Sequence, residues 1–418
     1  MSPWDGSVPA SRSRPRVGPT WTHPAGNPAR SHADSHYLLT VDPQSDPGAR
    51  VAAEPSVHAR LEDALAEPDQ VRVLHLTGDE LRLPDVHIPP EIARLTHLEE
   101  LHLEAFGEIM LPDALAGVTA LRTLHLESVR GDVPSVVLRL HNLEELHVTF
   151  SEDGRVPPGI GALTRLTRLN VEGVDELPNE VADLPALAAL TVSGRNLRSL
   201  PERLGEAVTL RHLDCSYTGL GSLPKAVCRL ANLESLDISM TLIDELPLEI
   251  AALKRLRVLR FAKPFPHHGP ESYATRVKQI RQPWGELKSL RTLDLSHQAI
   301  MSVSGNVRAL TVLEELDLSY NEMDGLPEEL FSLSSLQRVD LGFNRLRSLP
   351  AEIAGWNRLE ELSLVDNPLD TLPVELLNAE RLRTLDLRRV PFTVQEIEEI
   401  RARLPRTEVL CSNESAGP

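Results

Sequence analysis

Between Leu313 and Ala379 one wording recurs three times without a gap: LEELDLSYNEMDGLPEELFSLSS, LQRVDLGFNRLRSLPAEIAGWNR and LEELSLVDNPLDTLPVELLNA, a 23-residue period. The shared pattern is L-x-x-L-x-L-x-x-N-x-L-x-x-L-P-x-x-[IL]. A fixed period of this length constrains folding more than any other feature of the chain, because it makes each unit too small to bury its own apolar residues. The units must stack, each covering the leucines of its neighbour, so that one core runs the length of the array. Within a unit, the last two leucines of L-x-x-L-x-L are two apart and face one side of a short strand, while the residue between them faces the other. The Asn then turns the chain away, its amide bonding backbone groups that the bend leaves open. Leu-Pro opens the return path, where a fixed φ and a missing N–H are tolerated.

Eight or so positions at fixed offsets make this pattern specific, and it resembles the leucine-rich repeat (LRR). The residues that carry the resemblance are Leu316, Leu318, Asn321 and Pro327, then Val339, Leu341, Asn344 and Pro350, then Leu362, Leu364, Asn367 and Pro373. The resemblance implies an α/β LRR solenoid (horseshoe), with a parallel β-sheet on the concave face and short helices or turns on the convex face. About 14 repeats are expected, starting at Val71, Leu98, Leu121, Leu143, Leu166, Leu187, Leu210, Leu233, Leu256, Leu290, Leu313, Leu336, Leu359 and Leu382. The L-P-x-x-[IL] wording is similar to the intracellular Ras-group proteins of plants and to related animal and bacterial scaffolds. That likeness implies a protein-binding, signalling type of role without catalysis.

The sequence divides into a tail, an array and a second tail. Residues 1–55 are rich in Pro, Ser, Gly and Arg, show no apolar period and are expected to be disordered. They read as an unstructured tail or a mis-assigned start, with a targeting signal as the alternative. The solenoid is expected over 56–410. Val57, Leu61 and Leu65 are spaced for one helix face, predicting a cap helix over 56–67. An interval of 34 residues between Leu256 and Leu290 implies an insertion over 263–285, basic in an acidic protein and expected to project as a loop or small helix. Thr393-Val-Gln-Glu396 is a capping-box pattern, predicting a cap helix over 393–404 and a last half-strand near Val409. Residues 411–418 are expected to be a disordered tail.

Charge and composition narrow the function. The net charge of −18 repels nucleic acid and anionic membrane, so neither is an expected partner. No apolar run is long enough for a spanning helix. Aromatics are only 4%, which leaves aliphatic side chains to form the core. Five Lys among 43 basic residues, with abundant Ala and Pro, point to a GC-rich, bacterial genome. Three cysteines without paired spacing, Cys215, Cys228 and Cys411, suggest a reducing compartment and no metal cluster. Cys215 is expected in the core and Cys228 on the convex side. There is no phosphate-binding Gly-rich loop, no H-E-x-x-H and no G-x-S-x-G. With repeats and caps over 56–410, no further catalytic domain is expected, and no cofactor. The reading is a cytoplasmic, monomeric, non-enzymatic scaffold. The alternatives are a secreted bacterial effector without a cleavable signal peptide, and a metal-binding or pH-sensing protein.

Two columns of the sheet are candidate sites. The residue between the strand leucines is His75, His102, His125 and His147 in successive repeats, a ladder about 4.8 Å apart that could bind metal or sense pH. The same column continues as Asn170, Thr191, Asp214, Asp237, Arg260, Asp294, Asp317, Asp340, Ser363 and Asp386. Its carboxylates are expected to face solvent and favour a basic protein partner. Where the Asn position holds Val129, Val174 or Phe106, the turn must rearrange or admit water. The residue two places past the last strand leucine is Tyr217, Met240, Lys263, His297, Tyr320 and Phe343 from Leu210 onward. In a chain poor in aromatics, Tyr217, Met240, His297, Tyr320 and Phe343 are expected to face solvent and anchor a partner, with Asp294, Asp317, Arg338 and Asp340 as a polar rim.

Overall fold

The computed structural model describes residues 57–58, 60–77, 86–104, 108–263, 279–280, 284–303 and 305–412. The tail expected over 1–55, residues 413–418 of the tail expected over 411–418, Phe106, and most of the 263–285 insertion lie outside them. Among the described residues, sixteen strands form a single sheet in chain order, from Val57–His58 to Glu408–Leu410. Every pairing is parallel, and between repeat strands most link a residue to its counterpart one repeat on, as in Leu213↔Leu236 and Leu236↔Leu259; the register shifts near the ends of Thr123–Val129 and Glu145–Gly154. Each strand from Val73–Thr77 to Thr384–Asp386 opens two residues after one of the repeat starts named above. The register survives the interval that contains the extra residues, Leu259 pairing with Leu293. Gln279–Ile280, at their end, pairs with Ser302–Val303 in a small second sheet. This is an LRR solenoid.

The core follows from the period. Leu74, Leu101, Leu124, Leu236 and Leu259 are fully buried, each stacked between its counterparts on the neighbouring strands. The return paths are single 3₁₀ turns, such as Pro158–Ala162, Leu248–Ala252 and Ala351–Gly355. The proline that precedes the turn residues supplies their first acceptor: the N–H of Ile250 donates to the carbonyl of Pro247 at 3.0 Å, and that of Ile353 to Pro350 at 3.2 Å. One i→i+3 turn suffices to carry a buried Ile or Leu inward, and a short stretch with eclipsed i and i+3 side chains suits the 3₁₀ form. None of the described helices is long and apolar enough to cross a membrane.

The bend after the strand is solved in two ways. In the C-terminal repeats, Asn321, Asn344 and Asn367 are buried, and each amide bridges two repeats. The Nδ2 of Asn344 donates to Leu318 O of the preceding repeat at 2.9 Å and to Leu341 O of its own at 3.0 Å, while Oδ1 accepts from Met323 N at 3.1 Å. Thr218 and Thr241 do half of this: each hydroxyl reaches the carbonyl of its own repeat, Cys215 O and Ile238 O, at 2.8 Å. Where Val129 and Val174 replace the Asn, the side chain at that position cannot serve the backbone, and the strand lengthens instead; at Val129 the next repeat helps, Thr149 Oγ1 accepting from Ser128 N at 2.9 Å and Ser151 Oγ donating to Val129 O at 3.3 Å. Thr123–Val129 and Arg168–Val174 have 7 residues and Glu145–Gly154 has 10, against 3 in each main-sheet strand from His212–Asp214 to Thr384–Asp386. Rearrangement answers the missing amide: the longer strands extend the sheet ladder past the position of the Asn. The lengthened strands approach closely, and a Cβ at Gly173 would meet Phe150 O at 2.7 Å.

Both ends are covered. The first helix is shorter than the sequence predicts, Leu61–Ala66 rather than 56–67, and Val57–His58 is an edge strand on Val73 and Leu74. A helix continued back to Val57 would leave the backbone edge of the first repeat open; the strand pairs it, and the helix covers the core with Ala64 fully buried. At the other end the helix Val394–Arg403 is capped by Thr393, whose Oγ1 accepts from Glu396 N, while Glu396 Oε2 accepts from Thr393 N at 2.8 Å. Ile397, Ile400 and Leu404 are buried, and Glu408–Leu410 pairs with Thr384–Asp386.

Candidate partner-binding face

Three columns of side chains cross the open face of the sheet. The middle one corrects an expectation. Its carboxylates are not a solvated rim: Asp317 is 4% exposed, Asp340 8% and Asp386 8%. Each folds back onto its own chain and accepts from the backbone N–H two residues on, as Asp317 does from Ser319 at 2.8 Å and Asp340 from Gly342 at 2.8 Å. Asp214, Asp237, Asp294 and Asp386 make the same bond. The carboxylate closes the strand end where the sheet ladder gives out. Burial, together with Asp294 and Asp340 on either side, pushes the Asp317 carboxyl well above the usual range. Asp237, half-buried beside Asp214, is pushed up to about 6 by its desolvation and that neighbour. These carboxylates build backbone, and their field at the surface is weaker than their number suggests.

The column at the strand ends is left-handed. Tyr217, Met240, His297, Tyr320 and Phe343 have φ of 55°, 57°, 59°, 54° and 56°. The turn is needed because each N–H still donates to the next repeat while the chain leaves the sheet: Tyr320 N to Gly342 O at 2.9 Å, Phe343 N to Val365 O at 2.6 Å. Glycine or asparagine adopts this region without strain; bulky residues there cost about 1–2 kcal/mol each. Yet here it holds rings. His297 stacks on Tyr320 with centroids 4.1 Å apart, and Tyr320 on Phe343 at 4.0 Å and 9°. Arg389 caps the stack, its guanidinium 5.4 Å from the Phe343 centroid, while pairing with Asp366 at 2.6 Å. The rings are therefore half-buried by one another, less open than the sequence suggests. Tyr217 is the open member at 61% exposure, and Met240 is half-buried. Lys263 separates the two groups, because its ammonium turns away to Ile243 O and to Asp244 at 3.4 Å. Of the proposed rim, Arg338 lies beside the stack's strands and pairs with Glu315.

At the N-terminal end the histidines do form a ladder. His75 and His102 have centroids 4.0 Å apart, His102 and His125 4.0 Å, and His125 and His147 5.2 Å. Asn170 Nδ2 meets His147 Nδ1 at 2.7 Å and extends the row. Glu100, outward-facing on the strand that carries His102, bonds His102 Nε2 at 2.5 Å. Burial, then the neighbouring His102, holds His75 below the ordinary imidazole range, with Glu100 opposing.

Sequence reading missed three features. At the position that precedes a strand, Arg and Glu of adjacent repeats pair in several places: Arg122 pairs with Glu144 at 2.9 Å, and Glu234 with both Arg211 at 2.7 Å and Arg257 at 3.3 Å. Exposed pairs of this kind add little stability. The second is the continuation of the left-handed column to Asp366 and Arg389; the third is Glu100 in the histidine group. All were visible as repeat-spaced residues once aligned. Two of the cysteines are poor nucleophiles: Cys215 is buried in the core, and burial pushes the Cys228 thiol up to about 11.

Comparison with known proteins follows the same lines. A family model for the leucine rich repeat matches residues 288–346 and 311–369. An LRR protein of Leptospira interrogans is 28% identical with a TM-score of 0.56, covering 85% of this chain and 99% of its own. An internalin from Listeria monocytogenes is 18% identical with a TM-score of 0.53, covering 85% and 94%. A chain of the Toll–Spatzle complex of Drosophila is 17% identical with a TM-score of 0.57, covering 86% of this chain and 54% of that one. No curated protein sequence matches.

Proposed function

The chain is a leucine-rich repeat protein, and on that premise we propose that it is a non-enzymatic interaction module that holds a protein partner on the open face of its sheet. LRR domains generally serve as protein-interaction scaffolds. One observation carries the site: bulky, mostly aromatic residues sit at left-handed positions where glycine would be unstrained. Strain kept at a surface is a reason to look for function there. The anchors are His297, Tyr320 and Phe343 as one ring stack, with Tyr217 and Met240 as a second contact further along. Arg338 and Asp294 lie at the margin, while Asp317 and Asp340 hold the strand ends in place. Stacked rings present their edges and pre-set rotamers, which lowers the entropy lost when a partner docks. The partner is a protein segment with apolar side chains for the rings and a basic group for the half-buried Asp294 at their margin. Free thiols at Cys215 and Cys228 favour a reducing, cytoplasmic setting, and the composition favours a bacterial source.

The test is affinity capture with the full chain and identification of the partner by mass spectrometry, followed by calorimetry. Tyr320→Ala with Phe343→Ala is expected to weaken that complex by about 2 kcal/mol or more, roughly 30-fold in Kd. Unchanged affinity in a double variant with wild-type circular dichroism would move the site elsewhere.

A further inference from the structure

We propose that His75, Glu100 and His102 form a binding site for a divalent transition-metal ion. The three side chains come from two adjacent strands, Val73–Thr77 and Glu100–Glu104, paired so that His75 faces His102. One ligand atom from each lies within 4.8 Å of the others. The sheet imposes this convergence: alternation sends Glu100 and His102 to the same outer face, and parallel register sets His75 beside His102.

A second observation points to a missing ligand. The Nε2 of His75 is buried and has no hydrogen-bond partner. A buried polar atom left unpaired is costly, and a coordinate bond would satisfy it.

Two imidazoles and one carboxylate suit zinc and its neighbours rather than magnesium or calcium, which want oxygen ligands. Tetrahedral zinc with bonds of about 2.0–2.1 Å sets its donors about 3.4 Å apart. Coordination would draw together the donors that lie up to 4.8 Å apart and open the 2.5 Å Glu100–His102 contact to about 3.4 Å, exchanging that hydrogen bond for coordination. All three residues are partly exposed, so the fourth position opens to solvent. It can take water or a donor side chain from whatever docks on this end of the sheet. The site is separate from the ring stack at His297, Tyr320 and Phe343, and either can fail without the other.

The test is calorimetric titration of the full-length, untagged, metal-stripped chain with Zn²⁺, paired with thermal melting with and without the ion. Binding of one equivalent is expected, with a rise in Tm that grows with free Zn²⁺. His75→Asn, His102→Asn and Glu100→Gln should each weaken it at least tenfold, since even outer partners of metal ligands cost that much. His297→Asn, on the other column, should leave it unchanged. The variants lie on the outer face, and an unchanged metal-free Tm shows that they fold. Co²⁺ should give the intense visible bands of a four-coordinate centre in the wild type and not in His75→Asn. Failure of the wild type to bind Zn²⁺, or equal binding by a folded His75→Asn/His102→Asn double variant, overturns the proposal.

Discussion

Replacing Asn344 by Ala isolates what the buried amide ladder contributes. Its Oδ1 accepts from Met323 N, and its Nδ2 donates to Leu318 O and Leu341 O. The two carbonyls each keep a second donor, from Asn321 and Asn367 respectively, at 2.9 and 2.8 Å. The Met323 N–H loses its side-chain acceptor in a buried setting. One orphaned donor costs about 1–3 kcal/mol and two forfeited bonds about 1 kcal/mol each, giving about 3–5 kcal/mol in all. Asn344→Thr should recover roughly 1 kcal/mol of this, because a hydroxyl there can reach its own repeat's carbonyl, as Thr218 and Thr241 do. Urea denaturation followed by circular dichroism reads both variants as a shift in midpoint at constant slope. A loss below about 1 kcal/mol for Asn344→Ala, or a threonine variant no better than alanine, would refute the reasoning.

Two further perturbations follow from the same geometry. Asp237 and Asp317 bind protons in the fold that the unfolded chain has already released, so stability should fall as pH rises from about 4 through about 6 and beyond; Asp317→Asn, which keeps an acceptor for Ser319 N, should raise Tm at pH 7 and flatten that dependence, and a lower Tm would contradict it. Thr393→Ala removes one half of the capping box and should cost about 1 kcal/mol, read in the same urea assay; no loss would mean that the terminal helix is held by Ile397 and Ile400 alone.

The period made most of the fold legible. Fixed offsets placed the strands, the turn prolines and the amide at Asn321, Asn344 and Asn367, because those positions are dictated by stacking alone. Val129 and Val174 announced a changed turn, but not that the strand would lengthen to solve it; that depends on neighbouring strands lengthening together. The Asp column misled for a related reason. Alternation gives the face a side chain leaves from, and Asp317 leaves from the outer face, but a short carboxylate can return to the N–H of Ser319. The ring stack was half legible: spacing found Tyr320 and Phe343, while the left-handed backbone that turns them onto each other follows from the strand-end ladder. Glu100 escaped because the histidine column was followed from repeat to repeat, whereas Glu100 joins it from two residues before His102 on the same strand. The short cap helix escaped because Val57 fits a helix period and a strand edge equally well.

The central claim is that the strand-end column of the sheet is the binding surface, and hydrogen exchange on the complex tests it most directly. With the captured partner added, amides from 317 to 322 and from 340 to 345 should gain protection, while the 3₁₀ turns Glu328–Ser332 and Ala351–Gly355 on the opposite side should not change. Protection confined to those turns, with the strand ends exchanging as in the free chain, would contradict the account.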